Sequence, residues 1–178
     1  ASLLPSPTNG GFAYGNNHAI NAAMESATPP DLFWLLNPDT VVRPGALSAL
    51  TDFMEANSNV GICGGGIELP DGQDWPFAFR FPGILSEVER GFRFSMISRL
   101  LARWAVCMPM GKEPARVDWV SGCTMMIRRE TAEQIGAMDE GYFLYYEETD
   151  YCLQARRLGI ECWYLPASKV MHIAGQST

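Results

Sequence analysis

Helical and strand-like hydrophobic patterns alternate along the first part of the chain. A loop rich in Gly, Asn, Pro and Ser opens it, and the apolar run "LFWLL" at 32–36 predicts a buried strand. The other predicted elements are a helix from about Asn16 to Ser26, a helix over "RPGALSALTDFMEANS" (43–58) and a strand over "NVGICGGGIEL" (59–69). This alternation of helices and strands predicts an α/β sheet with parallel strands.

The pattern changes after the turn "PDG", and residues 73–116 do not continue the alternation. "WPFAFRFPG" (75–83) is predicted to be irregular. The later elements are a strand over 117–129, a short helix over 130–140, a helix over 147–159 that Gly159 ends, a last strand over 160–166 and a trailing segment over 168–178.

Residues 84–106 predict an amphipathic helix with four interspersed arginines. Two interpretations of this helix stay open. It either covers one face of the sheet, or it faces an acceptor or a membrane surface, as amphipathic helices with basic side chains do.

Composition supports one globular domain of 178 residues, with 47% hydrophobic and 19% charged residues. The formal net charge is −7, and no run of Lys or Arg supplies the positive surface that a nucleic-acid partner needs. An acidic protein that binds a phosphorylated ligand through Mg²⁺ or Mn²⁺ fits this balance better.

The five cysteines have long spacings and no CxxC pair, so neither a disulfide framework nor a zinc site is indicated. Each has apolar neighbours, which predicts reduced, buried thiols. No apolar run reaches the roughly 20 residues of a membrane span, and the chain opens with no signal peptide. A cytoplasmic location, or a peripheral one at the inner face of the membrane, is therefore expected.

An acidic residue, Asp39, follows the first predicted strand in "FWLLNPDT". Ligands bind at the C-terminal strand ends of open α/β sheets, and carboxylates there suit hard divalent cations. A second interpretation stays open, in which Asp39 or Thr40 caps the helix that begins near Pro44.

A second acidic group lies at the start of the predicted 147–159 helix. Glu147, Glu148 and Asp150 crowd its first turn, where the helix dipole favours negative charge. Such crowding also raises carboxyl pKa values, as a general base requires. His172 follows the last strand and is a candidate metal ligand, and the commoner role of such a histidine, as a packed or surface residue, stays open as the alternative.

Five segments in this order resemble the family 2 glycosyltransferases, and most of all their rhamnosyltransferase-like branch. The segments are "NGGFAYGNNHAIN", "FWLLNPDT", "VDWVSGCTMMIRRE", "MDEGYFLYYEETDYCLQARRLGI" and "VMHIAGQS". The resemblance covers nearly the whole chain. It implies a GT-A-like (Rossmann-like) α/β fold, a mixed sheet flanked by helices, in a single domain. Residues 1–72 would form the donor-nucleotide half, and 73–178 the acceptor half with the catalytic helix.

The resemblance also implies a donor and metal site. Asp39 matches the last acid of the DxD-type motif, which holds Mn²⁺ or Mg²⁺ on the donor diphosphate, and Asn37 replaces its first acid. His172 matches a histidine that completes the metal site. The positions that match donor-binding segments are Asn9, Gly11, Asn16, Asn17 and Asn37.

The catalytic residues follow from the same resemblance. Glu147 and Glu148 match an acidic pair whose second member is the base, here Glu in place of Asp. The segments matching the sugar and acceptor pocket contribute Trp119, Ser121, Gly122 and Asp150. The implied reaction is inverting transfer of a sugar from dTDP-rhamnose or a UDP-hexose to a glycan or lipid-linked acceptor in cell-surface polysaccharide synthesis.

The resemblance further implies strands and a base-reading acid ahead of Ala1, so the domain is expected to be N-terminally incomplete. The alternative is a non-catalytic GT-A remnant that binds a sugar or a partner. An unpaired sheet edge would then favour a homodimer.

Overall fold

A mixed β-sheet with helices on both faces organises the protein. The computed structural model describes residues 3–91, 104–109 and 111–173. Its helices are α1 (Gly11–Met24), α2 (Ala46–Ala56), α3 (Ile84–Gly91), α4 (Arg129–Ile135) and α5 (Glu147–Arg157). Its strands are β1 (Leu32–Leu36), β2 (Thr40–Val42), β3 (Val60–Glu68), β4 (Asp74–Trp75), β5 (Ala78–Phe79), β6 (Ala115–Val117), β7 (Trp119–Val120), β8 (Thr124–Arg128) and β9 (Glu161–His172).

The main sheet has the strand order β1-β8-β3-β9-β2, with β4 beside β3 and β6 beside β9. β5 and β7 form a separate two-stranded sheet. The mixed sheet agrees with the expectation, but the prediction of parallel neighbours is wrong for every described pair except β3–β9. β8 inserts between β1 and β3 and runs antiparallel to both, so strands that follow each other in the sequence are separated in the sheet.

Several predicted boundaries also needed correction. α1 begins at Gly11 and not near Asn16, although the glycine and asparagine residues of its first turns favour a loop by local propensity. The predicted 117–129 strand is divided among β6, β7 and β8. The last strand continues past Pro166 to His172. Proline has no N–H to donate to a neighbouring strand, and the pairing of β9 with β3 is interrupted between Leu165 and Lys169, where Pro166 lies.

Two apolar cores lie on opposite faces of the sheet. Ile62 packs in the larger core with residues of α1, α4 and α5, whereas the next residue, Cys63, packs in the smaller core under α2. This alternation is the two-residue period of a strand buried on both faces. Four cysteines are buried and free, as predicted. The prediction of burial is wrong for Cys107, which is exposed and forms an isolated β-bridge with Phe79.

The predicted 84–106 helix is described only in its first part, as α3, and residues 92–103 lie outside the described residues. Within the described ranges, no helix combines the length and apolar character needed to cross a membrane.

The glycine-rich strand β3 permits β7 to pack closely against one of its faces. A Cβ on Gly64 would lie 2.5 Å from the Cβ of Val120, closer than two carbon atoms can approach. β3 is buried from Val60 to Ile67, so glycine lets β7 sit directly on its face.

We expect Gly64→Ala to lower the free energy of unfolding by about 1–3 kcal/mol, the typical cost of overpacking a core. Gly15→Ala is the matched control, because a Cβ on Gly15 meets nothing within 4 Å. Alanine in a helix interior should stabilise α1 by about 0.5–1 kcal/mol. Urea unfolding of both variants checks the pair, and an equal response of both would contradict the packing argument.

Candidate active site

A cleft of about 370 Å³ opens where β1 ends and α5 begins. It unites residues that are far apart in the chain. Six of the sequence-predicted residues line it: Asn37, Ser121, Gly122, Glu147, Glu148 and His172. The cleft therefore collects the end of β1, the β7–β8 turn, the first turn of α5 and the end of β9.

The turn after β1 fixes the position of Asp39. The backbone N–H of Asn37 donates to the Cys123 carbonyl at 3.1 Å, and both the N–H and the hydroxyl of Thr40 donate to the Asn37 carbonyl, at 3.2 and 2.7 Å. β2 then begins at Thr40, which pairs with His172. The N–H of Ile173 donates to the Asp39 carbonyl at 3.0 Å. Backbone hydrogen bonds of Asn37, Thr40 and Asp39 itself therefore fix the position of Asp39.

Strand pairing brings the side chains of Asp39 and His172 together. The Asp39 Oδ1 and His172 Nε2 atoms lie 3.1 Å apart, and the two side chains are only 7% and 19% exposed. Despite this distance, neither carboxylate oxygen of Asp39 makes an aligned hydrogen bond within the described residues, and the His172 Nε2 makes none either. Buried polar atoms are rarely left without such partners, so this pair has unused ligand capacity.

These two donors suit a divalent cation, because carboxylate oxygen is a preferred ligand of Mg²⁺ and Mn²⁺ and imidazole is a common ligand of transition metals. Among the described residues, no group of three or more His, Cys, Asp or Glu side chains could hold a metal. A cation here would take its remaining ligands from water or from a bound substrate.

The two glutamates begin α5 and differ in their surroundings. Glu147 is 4% exposed, whereas Glu148 is half-buried on the cleft wall. Burial raises the pKa of Glu148 and neighbouring Glu147 adds to the rise, while backbone N–H groups, including that of Gly122, partly offset it. One oxygen of each carboxylate, Oε2, has no hydrogen-bond partner within the described part of the chain.

The backbone ahead of α5 is in a conformation that side chains normally avoid. Tyr145 and Tyr146 have φ values of 72° and 73° and are the non-glycine residues with positive φ among those described. Each costs on the order of 1–3 kcal/mol, and such residues persist where their surroundings force them. This turn sets the direction in which α5 starts, and hence the positions of the two glutamates.

Helix α1 supports this turn. The N–H of Phe12 donates to the Phe143 carbonyl at 3.4 Å. Gly11 has a φ of +85°, and a Cβ there would collide with the same carbonyl oxygen. Buried Asn17 donates to the Met138 carbonyl and accepts from the Met138 N–H, at 2.9 and 2.8 Å. The start of α1 is thus fixed to the segment that leads into α5.

The remaining predicted residues lie outside the cleft lining. Asn9 accepts from the Gly11 N–H at 3.3 Å, and Asn16 donates to the Phe12 carbonyl at 2.9 Å. Trp119 stacks on Phe79 with ring centroids 4.0 Å apart and donates to the Arg80 carbonyl. Asp150 accepts from Gln154 at 2.7 Å. The donor-binding and sugar-pocket roles predicted for these residues remain predictions.

The lining also contains apolar residues that were not anticipated from the sequence, among them Phe12, Trp75, Leu144 and Tyr145. Trp75 is 48% exposed and Tyr145 is 69% exposed, which is unusual for large aromatic side chains. The aromatic run before the glutamates was a signal for Leu144 and Tyr145. Trp75 could not be found that way, because it reaches the cleft only through the pairing of β4 with β3.

Cys123, which also lines the cleft, is an unreactive thiol. Burial raises the pKa of the Cys123 thiol to about 12, and the negative charge of Asp39 contributes. Since the thiolate is the nucleophilic form, Cys123 is a protonated packing residue at neutral pH.

Comparison with known proteins finds a family profile and several relatives that match the chain. The profile of the family described as "Glycosyltransferase like family 2" matches residues 4–178. The chain is 30% identical, over 99% of its length, to the N-acetylglucosaminyl-diphospho-decaprenol L-rhamnosyltransferase of Mycobacterium tuberculosis (strain CDC 1551 / Oshkosh). It is 26% identical, over 92% of its length, to the rhamnosyltransferase WbbL of Escherichia coli (strain K12). It spans 60% and 61% of those two proteins.

A solved structure shares the fold. The crystal structure of GalNAc-T7 with UDP, GalNAc and Mn²⁺ superimposes with a TM-score of 0.65 at 16% identity, over 97% of this chain and 32% of that one. The GT-A fold expected from the sequence resemblance is thereby confirmed.

The buried environment of Glu148 makes a prediction about stability. A carboxyl group with a raised pKa binds a proton more tightly in the folded state, so stability falls as pH rises from the ordinary value of 4.5 through the raised one. Glu148→Gln removes this loss. We expect the variant to be more stable than the parent at pH 7, with the difference vanishing below pH 4.5, in thermal unfolding measured across pH.

Exposed Glu133 on α4 supplies the control. Glu133→Gln should change stability little at any pH, as surface substitutions usually do. A Glu148→Gln variant that is less stable than the parent at pH 7 would contradict the assignment of a raised pKa.

Proposed function

The chain belongs to the glycosyltransferase-like family 2, and from this premise we propose that it is the catalytic part of a metal-dependent, inverting glycosyltransferase. It moves a sugar from a nucleoside diphosphate to a hydroxyl group of a glycan or lipid-linked acceptor. One observation carries the proposal: a single cleft joins Glu148 to His172, which pairs with Asp39.

Asp39 and His172 would hold Mn²⁺ or Mg²⁺ through their unpartnered oxygen and nitrogen atoms. When bound, the cation acts as a Lewis acid that neutralises the leaving diphosphate. Two protein ligands leave coordination positions for phosphate oxygens. Sharing the ligands between protein and phosphate suits a donor site, because the metal and the nucleotide then bind together.

Glu148 is the proposed base. Its carboxylate lines the cleft, and its raised pKa makes it a stronger proton acceptor than an ordinary carboxylate. Glu147 lies deeper and also carries an unpartnered oxygen, so its role is to position the first turn of α5 and keep the Glu148 pKa high. The Glu148 carboxylate takes the proton of the acceptor hydroxyl as that oxygen attacks the anomeric carbon.

This arrangement supports a single displacement. The base removes a proton on one side of the sugar while the diphosphate leaves on the other, and the anomeric configuration inverts. Cys123 remains a protonated thiol in the cleft, so it is not the nucleophile of a covalent intermediate.

The relatives support rhamnose as the sugar and a lipid diphosphate as the acceptor class. The two relatives described above are rhamnosyltransferases by name, and the name of one describes an N-acetylglucosaminyl diphosphate on a polyprenol. We therefore propose dTDP-rhamnose as the first donor to test, with UDP-hexoses as the alternative. Acceptors of this kind reside in membranes, so the proposed reaction would take place at a membrane surface.

We expect Glu148→Gln to lower the transfer rate by about 10²- to 10⁴-fold, the usual contribution of a general base, while nucleotide binding persists. Glu147→Gln is the matched comparison and should retain more activity. Product formation from dTDP-rhamnose and UDP-hexoses checks both. Full activity of Glu148→Gln would remove Glu148 from the reaction.

We expect Asp39→Ala to weaken binding of dTDP and UDP in the presence of Mn²⁺. The substitution removes the carboxylate of the Asp39–His172 pair and leaves His172 as the one remaining ligand of that pair. Calorimetric titration with and without Mn²⁺ measures this. Nucleotide binding by the parent that ignores Mn²⁺, or that survives the substitution unchanged, would contradict the metal assignment and favour a non-catalytic sugar-binding role.

A further inference from the structure

A second cleft of about 380 Å³ lies beside the first turn of α5. Its volume falls within the range of about 300–1,000 Å³ that is typical of small-molecule sites. Phe81, Tyr142, Tyr146 and Asp150 contribute to its walls. None of these residues lines the cleft that holds the glutamates.

The two clefts share one short segment as their partition. Tyr145 lines the first cleft and Tyr146 lines the second, although the two are consecutive in the chain. The same division continues into α5, where Glu147 and Glu148 line the first cleft and Asp150 lines the second. Asp150 follows the proposed base Glu148 by two residues, about 3 Å of axial rise, so the two clefts flank the same first turn of α5.

The left-handed backbone at Tyr145 and Tyr146 creates this division. Their side chains are 69% and 63% exposed, so burial of the rings does not account for the conformation. Backbone strain of this kind concentrates at ligand-binding sites. Here its structural consequence is one aromatic ring beside each cleft.

The second cleft combines rings with a hydrogen-bonding rim. Phe81 and Tyr146 present apolar surface, and Asp150 has acceptor capacity beyond its bond from Gln154, because a carboxylate offers about four lone-pair positions. A pyranose ring matches both features, since its C–H face is apolar and its edge carries hydroxyl donors.

The charges of this cleft disfavour a phosphate group. Arg156 stacks over the Phe81 ring with its Cζ 4.4 Å from the centroid, and it lies 3.7 Å from Asp118. Asp118 also accepts from the Phe81 N–H at 2.8 Å. With Asp118 beside Arg156 and Asp150 on the wall, negative charge balances or exceeds positive charge, so a neutral ligand is favoured over an anion.

We propose that the cleft lined by Phe81, Tyr146 and Asp150 is a pyranose subsite that holds the acceptor sugar adjacent to the one that reacts. The assignment as an acceptor subsite rests on the proposed transferase function. It has a consequence for specificity: acceptors with two sugars bind better than acceptors with one.

NMR titration of the protein with four pairs of methyl glycosides tests this. The single sugars are glucose, galactose, N-acetylglucosamine and rhamnose, and the paired disaccharides are cellobiose, lactose, chitobiose and dirhamnose. For at least one pair, we expect the disaccharide to bind at least five-fold more tightly than its monosaccharide. No gain in any pair would overturn the proposal.

Two variants test where the second sugar binds. Tyr146→Asn removes the ring, and asparagine tolerates the left-handed backbone. Asp150→Asn removes the carboxylate charge. Both should reduce the five-fold gain to two-fold or less, while monosaccharide binding stays unchanged. Tyr145→Asn is the matched control beside the first cleft and should weaken both ligands while preserving their ratio. A gain that survives Tyr146→Asn and Asp150→Asn would overturn the assignment.

Two further measurements separate the possible failures. Inorganic pyrophosphate should not compete with the second sugar, and competition that is lost in Arg156→Ala would instead identify an anion site at this arginine. Titration of the same protein with dTDP and UDP plus Mn²⁺ reports on the proposed function. Nucleotide binding without a disaccharide gain overturns the subsite alone, whereas a disaccharide gain without nucleotide binding overturns the acceptor role and the transferase function.

Discussion

The antiparallel pairing of β2 with the end of β9 is the constraint on which the candidate active site depends. Three residue pairs, from Thr40–His172 to Val42–Val170, join the segment after β1 to the last described strand. This ladder places Asp39 beside His172, and the backbone bond from Ile173 to Asp39 extends it by one step. Because β9 also pairs with β3 along most of its length, the position of the Asp39–His172 pair is fixed to the centre of the sheet.

The other half of the site depends on how α5 begins. Two strained tyrosines precede the helix, and the first residues of α1 hold the segment ahead of them through Phe12 and Asn17. Strain of this kind persists only where surrounding bonds and contacts oppose its release. The close contact between Gly11 and Phe143 shows how little space separates the two elements. In consequence, Glu147 and Glu148 are presented on a rigid helix and not on a loop, which suits groups that must be held in a defined geometry.

Stability is given up locally for this arrangement. Within the part of the chain that the structure describes, Asp39, Glu147, Glu148 and His172 all carry buried polar atoms without aligned partners, and burial of such groups is unfavourable. The surrounding structure offsets this cost through two apolar cores on opposite faces of the sheet. A cluster of this kind in a cleft is what the proposed chemistry requires, because a metal-binding pair needs open ligand atoms and a base needs a raised pKa.

The sequence by itself determined the elements and the chemical groups. The apolar run of β1, the helical spacing of α2 and the acidic first turn of α5 identified these elements, and motif order indicated the GT-A fold that the comparisons confirm. It did not determine strand neighbours. β8 enters the sheet between β1 and β3, and local hydrophobic periodicity contains no information about such long-range pairing. For the same reason, tertiary structure alone decided that His172 meets Asp39, that Trp75 reaches the cleft and that Asn17 supports the segment before α5, since each of these contacts joins residues distant in the chain.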